Sequence, residues 1–213
     1  MLNNNVTEKK TKDNIVELHI KDPGFSVTEA FNTLRTNIMF SGENIKTVMV
    51  TSTNPAEGKS FVAMQLAKSF ADINKKVVYI DCDLRKSVTL SRYKIRGKRV
   101  GLTEYITGQK SQLIYETNIP NLAVILSGHV VPNPIELMES KKFDDLLSVL
   151  RERFDYVIID SPPVGSVVDA CVIAPKVDGT VMVVRSDAVG RSHAIQAKKQ
   201  LEKSKGRILG VAL

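Results

Sequence analysis

The stretch Thr53-Asn54-Pro55-Ala56-Glu57-Gly58-Lys59-Ser60 carries the clearest chemistry in the chain. It matches the phosphate-binding pattern G-x-x-x-x-G-K-S/T, with Thr53 in place of the first glycine. Each residue type has a physical reason to be there. Gly58 can take a positive φ and lets the backbone approach an anion closely. Successive amide N–H groups at a helix start form an anion cradle. Lys59 would set a compact positive charge beside β- and γ-phosphates, and the Ser60 hydroxyl is short enough to ligate Mg²⁺. The cradle is expected to run from Thr53 through Asn54, Pro55, Ala56, Glu57, Gly58, Lys59 and Ser60 to Phe61.

Two acidic segments could complete such a site. Tyr156-Val157-Ile158-Ile159-Asp160 is an apolar run that ends in a carboxylate and is stopped by Ser161-Pro162-Pro163. Val78-Tyr79-Ile80-Asp81-Cys82-Asp83-Leu84-Arg85 is another. Alternate side chains of an extended chain share a side, so Asp81 and Asp83 can point together. Two carboxylates there could hold Mg²⁺ and accept a proton from an attacking hydroxyl. Ligands of open α/β sheets sit at the carboxyl ends of the strands, so Lys59 and Asp160 should converge there. The expected cofactors are ATP and Mg²⁺.

The elements that must position these residues are legible as short, continuous, β-branched runs. Six strands are expected: Thr47–Thr51, Val77–Ile80, Leu122–Leu126, Tyr156–Ile159, Thr180–Val184 and Ile208–Leu213. Runs of this kind are buried on both faces of a parallel sheet. Helical patterns separate most of them. One starts at Ser26, with Ser26 or Thr28 as cap and Gly42 just past its end. Others cover Lys59–Ile73, Gly101–Thr107, a stretch from Pro134 with Phe143, Leu146, Leu147 and Leu150 as apolar positions, and Gly190–Lys203. Residues 84–100 read as irregular and basic. The fold class is therefore α/β: a doubly wound, mostly parallel sheet with helices on both faces. Residues 1–25 read as a flexible arm ending at Asp22-Pro23-Gly24, and residues 26–213 as one domain.

Composition narrows the function classes. The chain has 213 residues and a formal charge of +7, which favours anionic partners. No nucleic-acid motif with interleaved aromatics is present, so nucleic acid is not expected as a partner. The histidines, His19, His129 and His193, lack metal-ligand spacing. Cys82 and Cys171 do not suggest a secreted disulfide framework and are expected in packed apolar surroundings. No apolar run approaches the ~20 residues needed to span a bilayer, and residues 1–14 lack a signal-peptide pattern. The expected location is the cytosol or the inner face of a membrane.

Asn54–Ser60, Ile80-Asp81-Cys82-Asp83-Leu84-Arg85 and Ile159-Asp160-Ser161-Pro162-Pro163 together resemble the bacterial tyrosine kinases of capsule and exopolysaccharide synthesis. These are P-loop proteins unrelated in fold to eukaryotic protein kinases. The resemblance runs from about Phe25 to Leu213 and includes Leu34-Arg35-Thr36-Asn37-Ile38, Pro132-Asn133-Pro134 and Glu136-Leu137. It implies transfer of the ATP γ-phosphate to protein tyrosines. Lys59 and Ser60 would bind phosphate and Mg²⁺. Asp83 and Asp160 would hold the metal and its waters. Asp81 would be the base toward the tyrosine hydroxyl, and Arg85 would orient the acidic loop beside the cofactor. The implied partners are the cytosolic segment of a transmembrane polysaccharide chain-length regulator, which would hold the chain at the inner membrane, protein tyrosine substrates, and further copies of the chain in a ring.

The sequence departs from the family pattern in two places. The ring-forming motif E-x-x-R-x-x-R has Glu29 and Arg35 here, but Asn32 in place of the first arginine. An amide cannot replace a guanidinium fork, so ring assembly is expected to weaken. The five tyrosines, Tyr79, Tyr93, Tyr105, Tyr115 and Tyr156, are dispersed rather than clustered in a tail. The phosphorylated tyrosine is then expected on another protein or on a tail that has been removed or lost.

Two other readings use the same residues. A partitioning or division-site switch ATPase has the pattern K-G-G-x-G-K-S/T, whose early lysine would fall at Asn54. A regulatory subunit would bind nucleotide without turnover. The run Arg92, Lys94, Arg96, Lys98, Arg99 reads as a solvated loop, with an acidic tail or a phosphate as the functional alternative.

Overall fold

The computed structural model describes residues 15–97, 100–110, 113–186 and 190–213. Strand β1 (Ile15–Val16) and helix α1 (Phe25–Phe40) come first. Then follow β2 (Thr47–Ser52), α2 (Lys59–Ala71), β3 (Val77–Asp81), α3 (Thr89–Arg92), α4 (Leu102–Ile106), β4 (Tyr115–Thr117) and β5 (Leu122–Ile125). The chain continues through α5 (Pro134–Glu139), α6 (Lys141–Arg153), β6 (Tyr156–Asp160), α7 (Asp169–Ile173), a 3-10 turn (Ala174–Lys176), β7 (Gly179–Val183), α8 (Arg191–Lys203) and β8 (Ile208–Ala212).

The strands form one eight-stranded sheet in the order β1-β4-β5-β3-β6-β2-β7-β8. Every neighbouring pair is parallel except β4 and β5. The six expected strands are all present, and the doubly wound reading holds. Side chains alternate between two cores, as the pleat requires. Val78, Ile80, Val157 and Ile159 face one core with Phe143, Leu147 and Leu150 of α6 and Leu201 of α8. Val77, Tyr79, Val48 and Ile158 face the other with Leu66 and Phe70 of α2 and Ile38 of α1. There Phe70 stacks on Tyr156 at 3.8 Å between ring centroids.

Several boundaries differ from the sequence reading, each for a local reason. The arm expected over residues 1–25 joins the fold at Ile15. Ile15 and Val16 pair with Glu116 and Thr117, and Val16 and Leu18 are buried. Residues 1–14 of that arm lie outside the described residues. Neither Ser26 nor Thr28 caps α1. Gly24 holds the cap position at φ 83°, and the Thr28 hydroxyl donates back to the Gly24 carbonyl at 3.0 Å. The helical stretch from Pro134 is broken at Ser140, whose extended backbone ends α5 and whose Oγ accepts the Phe143 N–H as the N-cap of α6. The segment 84–100, expected to be irregular, contains α3.

Candidate active site

The order β3-β6-β2 places three strand ends side by side. In register, Asp81 of β3 lies opposite Asp160 of β6, and Asp160 lies opposite Val50 of β2. The loop after β2 therefore opens beside both acidic ends. Gly58 closes that loop at φ 95°, and no atom lies within 4 Å of where a Cβ would project. Its carbonyl accepts the Val62 N–H at 2.9 Å, so α2 starts at once. Inside the loop, the Glu57 carboxylate accepts the Thr53 N–H at 3.1 Å and the Asn54 N–H at 2.9 Å. The Ser52 hydroxyl donates to the Asn54 carbonyl at 2.8 Å. Ala56, after Pro55, lies in the left-handed region at φ 64°.

Lys59 reaches across the sheet edge. Its Nζ lies 3.1 Å from Asp83 Oδ2, 3.4 Å from Asp160 Oδ1 and 3.3 Å from Ser60 Oγ. Burial alone would lower the ammonium's pKa, but Asp160 and Asp83 outweigh it and leave it raised. Asp81 lies deeper, with no exposed surface. One of its oxygens accepts the Asp83 N–H at 3.1 Å and the other accepts the Ser87 hydroxyl. Burial, then the neighbouring Asp160 charge, pushes its pKa up to about 7, the range a proton acceptor at neutral pH needs. Burial also raises Asp160, while Lys59 and bonds from Ser60 and Tyr79 hold it back.

Residues that sequence reasoning did not assign complete the arrangement. The Tyr79 hydroxyl donates to Asp160 Oδ2 at 3.0 Å and lies 3.1 Å from Thr89 Oγ1. The Tyr93 hydroxyl donates to the Ser60 carbonyl at 3.2 Å. Tyr79 precedes Asp81 by two positions on a strand, and that spacing was the one available signal for it. Tyr93 and Thr89 reach the site through α3, which left none. Arg85 does not face Lys59. Its Nε and one terminal nitrogen grip the buried Asp169 carboxylate at 3.1 to 3.3 Å, tying the loop after β3 to α7. Phe61 packs edge-on against Phe31 of α1, with ring centroids 5.8 Å apart. It also borders a cavity of about 590 Å³ between α1, the start of α2 and the ends of β7 and β8.

Three carboxylates around one ammonium leave negative charge uncompensated, and the donors are hard oxygens. Such a set fits a divalent cation that prefers oxygen and keeps several waters. Among the described residues, no three His, Cys, Asp or Glu side chains cluster tightly enough to cage a metal by themselves. Mg²⁺ needs only one or two carboxylates when phosphates supply the rest. No helix among the described residues is long and apolar enough to cross a membrane. Cys82 is buried and Cys171 half-buried, and burial raises both thiols.

Comparison with known proteins agrees with this architecture. Residues 45–200 match the family model described as an AAA domain. The chain is 43% identical over 187 residues to the tyrosine-protein kinase CpsD of Streptococcus pneumoniae serotype 4, covering 87% of this chain and 82% of that protein. It is 35% identical over 209 residues to the putative tyrosine-protein kinase CapB of Staphylococcus aureus, covering 96% and 91%. Among solved structures, the kinase domain of the Escherichia coli tyrosine kinase ETK superposes with a TM-score of 0.84 at 30% identity, over 89% of this chain and 75% of that one. The nucleotide-binding P-loop fold is thus shared with these proteins, and the chain belongs to the family of bacterial tyrosine-protein kinases.

Proposed function

We propose that this chain is an ATP- and Mg²⁺-dependent protein-tyrosine kinase that serves capsular or exopolysaccharide synthesis. The observation that carries the reading is the Lys59 ammonium held 3.1 Å from Asp83 and 3.4 Å from Asp160 at the end of a phosphate-binding loop. Residues Thr53 to Phe61 would hold the nucleotide. Ser60, Asp83 and Asp160 would ligate Mg²⁺. When bound, Mg²⁺ and ATP supply the phosphoryl group and neutralise its charge.

The chain's own residues do the rest. Lys59 would set a positive charge beside the β- and γ-phosphates of a bound nucleotide. Asp81 takes the proton of the tyrosine hydroxyl, and the bonds it accepts from Asp83 N–H and the Ser87 hydroxyl favour its ionised form. Tyr79 fixes one Asp160 oxygen and leaves the other toward Lys59. Arg85 braces the acidic loop through Asp169 rather than touching the reacting groups.

Membership in this family supports the choice of partners. The cytosolic segment of a transmembrane polysaccharide regulator would activate the chain and hold it at the inner membrane. Its substrates would be protein tyrosines. Assembly through α1 would be weak, because the motif residues already engage one another. Asn32 donates to Glu29 at 2.8 Å and accepts from Arg35, and Arg35 also donates to the Ser69 carbonyl at 2.7 Å.

Transfer of label from γ-labelled ATP, with the regulator's cytosolic segment present, tests the reading. Label on protein tyrosine is expected. Release of free phosphate alone would support a switch ATPase instead. Nucleotide binding with neither product would leave a regulatory subunit.

A further inference from the structure

We infer that the segment after the acidic loop, residues 85–96, is a docking strip for acidic polypeptide on either side of the tyrosine to be phosphorylated. The inference rests on the kinase reading and names its substrate class. Residues 84–100 contain seven Lys or Arg and no Asp or Glu. Of these cations, Lys86, Arg92, Lys94 and Arg96 are exposed and form no ion pair among the described residues. Lys98 and Arg99 lie outside those residues. Elsewhere Lys68, Arg151, Lys176 and Lys198 have a carboxylate partner, while Lys110, Lys203 and Lys205 form no ion pair among the described residues; the strip is set apart by four such cations within eleven residues that contain no acid. A run of like charges left unneutralised repels itself unless an anion covers it.

The strip is also fastened to the reaction centre. Thr89 is buried against the Tyr79 hydroxyl, which in turn bonds Asp160. Tyr93, flanked by Arg92 and Lys94, is buried, and its hydroxyl bonds the Ser60 carbonyl. The Tyr93 carbonyl accepts the His19 N–H at 3.1 Å, and the Ile95 N–H reaches the Leu90 carbonyl at 2.9 Å. Two buried side chains, Thr89 and Tyr93, thus anchor the segment that carries the exposed cations to Tyr79 and to the Ser60 carbonyl. An extended substrate advances only ~3.3 Å per residue, so residues next to its tyrosine must cross whatever borders the site. Carboxylates at those positions would meet Arg92, Lys94 and Arg96. Fixed charges of this kind steer encounter and set partner choice.

The test compares two tyrosine peptides of equal length, one with Glu and Asp beside the tyrosine and one with Gln and Asn. Each is assayed by phosphorylation and by fluorescence anisotropy, with the unaltered chain and with the triple variant R92A/K94A/R96A. The acidic peptide should be preferred by about tenfold in kcat/KM at low salt, mostly through KM, with the preference shrinking as salt rises. The triple variant should lose that preference and handle the neutral peptide as before. Equal use of both peptides by the unaltered chain, or an undiminished preference in the variant, would overturn the inference. If neither peptide is phosphorylated with the regulator's cytosolic segment present while ATP binds, the kinase reading fails. Anisotropy then still decides whether the strip selects acidic peptide. Vesicles containing anionic phospholipid are the control. Loss of vesicle binding in the variant, with no peptide preference to lose, would assign the strip to a membrane surface and overturn the proposal.

Discussion

Ala56 occupies a backbone conformation that favours glycine. At φ 64° its Cβ crowds the carbonyl, which costs an L-residue about 1–2 kcal/mol. The loop tolerates this because its neighbours over-determine it. Glu57 takes the Thr53 and Asn54 N–H groups, and Ser52 takes the Asn54 carbonyl. Replacing Ala56 by Gly removes the steric cost and adds a smaller backbone-entropy cost to folding. The expected net gain is about 1 kcal/mol, read as a melting temperature higher by about 2–4 °C in a thermal scan. An unchanged or lower value would mean that the strain is relieved elsewhere. At this scale the sequence was informative where a residue type has one use. Gly58 was readable as a positive-φ residue because the pattern demands it. Ala56 was not, since nothing in an alanine announces a left-handed turn. Asp169 was equally silent, because its role depends on Arg85 arriving from a distant strand end.

At the scale of elements, the sheet is pinned at the amino ends of β2 and β7 by Asp178. Its carboxylate accepts the Lys46 N–H at 2.9 Å, the Thr47 N–H at 2.8 Å and the Thr47 hydroxyl at 2.8 Å, and it pairs with Arg151 of α6. Burial alone would raise its pKa, but the Thr47, Lys46 and Arg151 bonds dominate and leave it lowered. A lowered carboxylate contributes stability above its unfolded value, about 3.9, and loses it as pH falls through the folded value. Asp178→Ala should therefore cost about 3 kcal/mol at neutral pH. The gap to the unaltered chain in urea unfolding should narrow below about pH 4. A gap that stays constant down to pH 3 would contradict this account. Element by element, legibility followed burial. The six longer strands, β8 at the sheet edge included, were readable because each is a mostly apolar run of four to six residues. β1 and β4 are two and three residues long, too short to show any period. The short helices α3 and α7 have the same problem. The break between α5 and α6 at Ser140 was hidden because the apolar spacing carries on across it.

The molecule as a whole works by topology. Crossing connections bring β3, β6 and β2 together although they are separated in sequence, and their carboxyl ends deliver Asp81, Asp83, Asp160 and Lys59 to one edge. That convergence was legible because an apolar run ending in a carboxylate has a fixed meaning in an open parallel sheet. The hydroxyls of Tyr79, Thr89 and Tyr93 were not, since they arrive by packing rather than by pattern. The basic segment 85–96 leaves the same edge of the sheet as the phosphate-binding loop, so a substrate docked on it would share one face with the nucleotide. The most direct test of the convergence is calorimetric titration of Mg²⁺ and ATP into the unaltered chain and Lys59→Met, with circular dichroism to show that both are folded. Lys59→Met should weaken nucleotide binding by at least about tenfold, as expected for losing a buried charge contact of ~1.5–3 kcal/mol, and abolish phosphotyrosine formation. A folded Lys59→Met protein that binds ATP as tightly as the unaltered chain would contradict the account.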